Sequence, residues 1–252
     1  MKNKRVTRFI ALILGVGLIT GVGSVSRAQP LPAPSLSMSK YGTLLEILDA
    51  NGKSRFGKLT GEGFQLSYEF RGKTHSASAI GDAEAVGLVA GNVKSDGPST
   101  TVISETSDHV LEITTYFFVN KKSNKLIIQR KLRNISNEPV VVKAMSEYVD
   151  TAFVTGGQTN FKETEEKLRA VLRDKLTVAM IIGDCQPGEC PDEPPPCPLP
   201  CGARIKFDLA RMTIRTDAKS NRPVSLVLPA KSATTLPPDG AVVQHLFLAF
   251  PV

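Results

Sequence analysis

Apolar residues fall at every second position from Phe64 to Phe70, with Phe64, Leu66, Tyr68 and Phe70 on one face and Gln65, Ser67 and Glu69 on the other. Period two is the pattern of a half-buried strand. Arg71-Gly72-Lys73 then predicts a tight turn into a partner strand at Thr74 to Ile80. Thr43 to Leu48 is another strand, closed by Asp49-Ala50-Asn51-Gly52, where Asn-Gly supplies the positive φ angles of a turn. Four β-rich runs follow in succession: Thr100 to Thr106, Val110 to Val119, Leu126 to Ile135 and Val140 to Thr151. Their connections are short enough to predict antiparallel neighbours, hence a meander. Later strands are expected at Thr177 to Ile182, Arg204 to Leu209, Met212 to Thr216, Val224 to Leu228 and Val242 to Phe250.

One stretch has a helical pattern. Asn160 opens Asn-Phe-Lys-Glu163, which resembles a capping box, and Phe161, Leu168, Val171 and Leu172 form a narrow apolar stripe before Lys175. The fold class expected is mainly β, an antiparallel β-sandwich or supersandwich with one short surface helix.

The N-terminus has a different pattern. Lys2, Lys4, Arg5 and Arg8 precede an apolar run from Phe9 to Val25, and Ser26-Arg27-Ala28 places small residues three and one positions before a cut. That is a signal peptide over 1-28, with the mature chain starting at Gln29. Residues 29-40, QPLPAPSLSMSK, read as a Pro/Ser-rich tether, and the β-sandwich domain as 41-252. No second apolar stretch is long enough to span a bilayer, so no membrane span is expected after cleavage.

Cleavage changes the charge. Five of the 31 basic residues leave with residues 1-28 and no acid does, so 26 basic residues face 24 acidic ones in the remaining 224. The sequence pI of 9.3 therefore belongs largely to the leader, and no nucleic-acid partner is expected.

All four cysteines, Cys185, Cys190, Cys197 and Cys201, lie in a proline-rich insertion at 185-201 with seven prolines. Export and an even count favour disulfides over a tetrathiolate metal site, whose usual close-pair spacing is not matched. Four cysteines allow three pairings. The nested one, Cys185 with Cys201 and Cys190 with Cys197, is expected if the flanking strands pair, with adjacent pairing as the alternative.

Candidate chemistry is sparse. His75, His109 and His245 are far apart in sequence, and no HExxH, GxSxG, P-loop or GxGxxG pattern occurs. Neither a cofactor nor a metal is expected. Asn134-Ile135-Ser136 matches a glycosylation acceptor, but its place between two strands reads as a turn.

The stretch from Val110 to Phe153, with Leu126, Ile128 and Asn134 followed by Pro139 and a further strand, resembles the central hairpins of galactose-mutarotase-like supersandwich domains. Members of that family include aldose epimerases and accessory domains of glycoside hydrolases. The resemblance places the ligand-binding candidates Glu147 and Tyr148 near a site. Where the epimerases have a catalytic His, this chain has Met145-Ser146-Glu147-Tyr148, and no Glu follows Glu193 to act as their base. No catalytic residue is assigned.

The sequence reading is thus an exported, non-catalytic β-sandwich protein, periplasmic or extracellular, that acts through its surface on an envelope or extracellular protein or glycan. The alternative is a carbohydrate-binding or carbohydrate-processing supersandwich domain.

Overall fold

The computed structural model describes residues 35–49, 51–82, 85–96, 98–120, 125–155, 203–204, 208–216 and 223–249. In chain order the strands are β1 (Ser35–Met38), β2 (Leu44–Leu48), β3 (Gly63–Phe70), β4 (Lys73–Ile80), β5 (Leu88–Asp96), β6 (Ser99–Thr106) and β7 (Leu111–Asn120). They continue as β8 (Lys125–Asn134), β9 (Val140–Asp150), β10 (Ala203–Arg204), β11 (Thr213–Thr216), β12 (Pro223–Pro229), β13 (Thr234–Leu236) and β14 (Ala241–Ala249). One helical turn, α1 (Ala152–Thr155), follows β9.

Two sheets form the sandwich. The front sheet has the order β10-β14-β8-β7-β6-β5, and the back sheet β11-β12-β9-β3-β4, with β13 also paired to the start of β9. Every pairing in them is antiparallel except β10 with β14. β1 and β2 form a small sheet of their own.

The core is apolar in two halves. One gathers Leu44, Ile47, Phe117, Leu126, Leu226 and Leu246, and the other Phe64, Leu66, Ile113, Leu132, Met145 and Val242. Each half draws on both sheets. The alternation along β8 shows why: Leu126, Ile128 and Leu132 all turn inward at period two.

The expected strands in the described residues form, with three differences. The meander runs through β5, β6, β7 and β8, but β9 does not continue it; residues 135–139 carry the chain from the front sheet across to the back sheet. Asn134 holds that crossing. Its side-chain amide donates to the carbonyls of Glu138 (2.8 Å) and Leu236 (3.0 Å), and its side-chain oxygen accepts from Ser136 N and Oγ. Asn134 is fully buried, so the turn reading of Asn134-Ile135-Ser136 is the structural one.

The second difference is β1, which lies inside the stretch read as a tether. Leu36 and Met38 reach the core from it, and two apolar side chains at alternate positions are enough to pin a strand that Pro and Ser flank. The third is the strand expected from Arg204 to Leu209. Among the described residues there, strand is confined to Ala203–Arg204, and Asp208 starts a 3-10 turn over Leu209–Arg211 by accepting from Ala210 N. The expected helix at Asn160 to Lys175, the strand at Thr177 to Ile182 and the cysteine insertion lie outside the described residues.

Candidate functional site

The two halves of the core are separated by a layer of buried polar groups. Arg130 occupies an inward position on β8 between Ile128 and Leu132, and its side chain is 1% exposed. On the front sheet its register neighbours are Thr115 on β7 and Gln244 on β14, so three polar residues form one row across three strands.

The guanidinium is saturated. Nε and Nη2 reach the two carboxylate oxygens of Glu147 on β9 at 3.1 and 2.7 Å, a bidentate pair between the sheets. Nη2 also meets Glu62 Oε1 at 3.3 Å, while Nη1 donates to Thr115 Oγ1 (2.7 Å) and the Gly42 carbonyl (3.0 Å). The Phe64 ring lies 4.3 Å from the guanidinium carbon. Glu62 accepts in addition from the Leu44 backbone N–H.

Gly42 must be glycine here. Its φ is +82°, and a Cβ would sit 2.8 Å from Thr115 Oγ1, the atom that receives Arg130.

Two carboxylates share one guanidinium away from water. Burial pushes Glu62 up to about 8, with Arg130 opposing and Glu147 adding to the rise. Burial likewise raises Glu147, against the pull of Arg130. For Arg130 burial acts downward, but Glu147 and Glu62 outweigh it and hold the group above its ordinary value. The neutral assembly is one guanidinium, one carboxylate and one protonated acid.

Glu147 and Tyr148, the candidate ligand contacts, are therefore divided by the strand. As adjacent residues on β9 they point to opposite faces: Glu147 inward to Arg130, Tyr148 outward. Tyr148 donates its hydroxyl to Gln65 Oε1 at 2.8 Å, and burial raises its pKa against the field of Arg215.

Register places Gln65, Ser67, Ser76, Ser78, Ser146 and Thr213 on the same outer face of the back sheet as Tyr148. Gln65, Ser76, Thr213 and Arg215 are exposed there, whereas Tyr148 is only 8% exposed. The face offers amide, hydroxyl and guanidinium groups rather than an open aromatic platform.

A third cluster ties one end of the sandwich. Tyr68 donates its hydroxyl to Asp108 Oδ2 at 2.7 Å, His75 Nδ1 lies 3.0 Å from the same oxygen, and the Tyr68 and His75 rings stack at 5.2 Å. Thr106 Oγ1 donates to Asp108 Oδ1 (2.7 Å). Back-sheet strands β3 and β4 thus grip the β6–β7 turn of the front sheet. His109, at positive φ in that turn, pairs with Glu105 in solvent. Among the described residues no group of three His, Cys, Asp or Glu could hold a metal ion.

Arg130 was readable in sequence as a charge at an inward position of an otherwise apolar alternation. Glu62 left no such signal, because it sits between two glycines ahead of β3 and reaches Arg130 only through the fold.

No protein-family model matches the chain. No curated protein matches it either. Among solved structures, a polysaccharide lyase is similar at 10% identity and a TM-score of 0.41. The similarity covers 86% of this chain and 32% of that one, so the chain spans about a third of that protein's length.

Proposed function

We propose that the chain is an exported β-sandwich binding module that acts through the outer face of the back sheet, with a glycan chain as the ligand class. The observation that carries this reading is the segregation of polar groups. The carboxylates that could serve as acid and base, Glu62 and Glu147, are sealed against Arg130 with side chains no more than 2% exposed. Gln65, Ser76 and Thr213, neutral hydrogen-bonding groups, face solvent on the outer side of the back sheet.

Gln65, Ser67, Ser76, Ser146 and Thr213 carry short donors and acceptors of the kind that match sugar hydroxyls. Arg215 adds a fork of donors beside Tyr148. A broad face five strands wide suits an extended chain better than a single monosaccharide. With the Tyr148 ring covered, recognition would rest on hydrogen bonds rather than stacking.

Glycan-array binding of the full mature chain, followed by titration calorimetry on the best ligand, tests the reading. Arg215→Ala should weaken binding several-fold without changing the thermal midpoint, and Gln65→Ala should weaken it by a similar factor with a small fall in the midpoint, because it also removes the acceptor of the Tyr148 hydroxyl. Absence of glycan binding, or binding insensitive to both substitutions, rejects it.

A further inference from the structure

The front sheet ends at β5, and that edge is only half closed. Among the described residues three large apolar side chains are exposed, Val86 (60%), Val89 (42%) and Val93 (46%), and all lie on β5 or two residues ahead of it. The change across one strand is abrupt. Thr100, Val102, Ser104 and Thr106 on the inner side of β6 are no more than 3% exposed, whereas Val93, the register neighbour of Val102, stands half out of the core.

An outermost strand with open backbone groups is a template for a further strand, and folds ordinarily blunt it. Here the blunting covers the first half of β5. The bulge between Val89 and Asn92 bends the strand, and the Gly91 N–H is spent on the Lys40 carbonyl at 2.8 Å. At the neighbouring edge of the back sheet, Val86 closes the end of β4 by exchanging two 2.9 Å backbone hydrogen bonds with Ser78. From Asn92 to Asp96, in contrast, β5 is regular and every residue is exposed. It pairs with β6 on one side and, among the described residues, with no strand on the other.

We infer that Asn92 to Asp96 pairs antiparallel with the same segment of a second copy of this chain, joining two front sheets into one. Main-chain hydrogen bonds hold such a pair, and side chains choose the partner. Charge complementarity selects the copy. With Ser95 on the two-fold axis, Lys94 of each chain stands opposite Asp96 of the other, so the opposite-charge pair is made twice on the outer side of the sheet. Neither Lys94 nor Asp96 has an ion-pair partner among the described residues. An unrelated strand would have to match this order of charges, whereas the copy matches it by symmetry. The added strand also covers the open flank beside Val93.

Sedimentation velocity of the full mature chain over about a hundredfold range of concentration should show a monomer–dimer equilibrium. Lys94→Asp sets acid against acid at both pairs, and Asp96→Lys sets base against base, so each variant alone should dimerise more weakly by about tenfold or more. Mixed in equal amounts, the two variants should recover the dimer, because each supplies the charge the other lacks. The mixture is the decisive arm, since a variant that had simply misfolded would not be rescued by the other.

A wild-type chain that stays monomeric throughout overturns the inference and leaves this edge to a strand of another protein. A dimer that both single variants retain overturns it too, because the contact then lies elsewhere, as does a mixture that fails to recover the dimer.

Discussion

Replacing Glu62 by glutamine should change how the stability of the sandwich depends on pH. The substitution Glu62→Gln isolates the proton: it keeps the side-chain length and an acceptor for the Leu44 N–H but cannot ionise. Burial raises the folded-state pKa of Glu62 from 4.5 to about 8. A raised acid pKa means that the contribution is fully present below the unfolded value and is lost as pH rises through the folded one. Between those limits the unfolded chain has released a proton that the folded chain retains, so stability falls by about 1.4 kcal/mol per pH unit. Over the window this is on the order of a few kcal/mol, a large fraction of the total stability of many domains. Urea unfolding followed by circular dichroism at intervals from pH 5 to pH 9 measures it. The wild-type midpoint should drop from pH 5 to about pH 8 and level off above it, and Glu62→Gln should flatten the curve and be the more stable protein at pH 9. Parallel curves for the two proteins would refute the reasoning, and transfer of the flattening to Glu147→Gln would move the proton to the other carboxyl of the pair.

Gln244 is 2% exposed and neither its amide nitrogen nor its oxygen has a hydrogen-bond partner, so Gln244→Leu should stabilise the fold by about 1 to 2 kcal/mol, read as a raised urea midpoint at unchanged slope. Asn134→Ala removes the side chain that holds the crossing between the sheets and leaves the Leu236 and Glu138 carbonyls without it, for a loss of about 2 to 3 kcal/mol by thermal or chemical unfolding. Arg130→Met leaves Glu147 buried without its partner and should cost about 3 to 5 kcal/mol, whereas exchanging Glu62, Arg130 and Glu147 together for apolar residues should be neutral or stabilising. Non-reducing peptide mapping of the mature chain should recover Cys185 linked to Cys201 and Cys190 linked to Cys197; four free thiols would remove the disulfide reading.

Local signals were legible where local chemistry decides structure. The Phe64 to Phe70 alternation and the Arg71-Gly72 turn became the β3–β4 hairpin, with both turn residues at positive φ. β5 was missed because a bulge between Val89 and Asn92 breaks its alternation and Gly91-Asn92 resembles a turn. The passage of β9 to the other sheet was missed for a different reason. A four- or five-residue connection is compatible with a hairpin or with a crossing, and only the buried Asn134 bonds, made partly to Leu236 far along the chain, select the crossing. Of the candidate site, the sequence named Glu147 and Tyr148 together, yet period two sends neighbours to opposite faces, so one alone can meet a ligand on the outer face.

The charged layer also serves as a check on threading. A slip of β8 by one residue turns Arg130 out to the other face of the sheet, and a slip by two keeps the alternation but carries the guanidinium ~6.8 Å from its carboxylates. Leucine and isoleucine in the flanking halves would accept the second slip at small cost, since one aliphatic residue would replace another. An ion pair and a protonated acid away from water would not. A version of the sandwich with an all-apolar layer is therefore expected to keep or gain stability and lose uniqueness, with shifted strand pairings visible as duplicated amide resonances for β8 and β14.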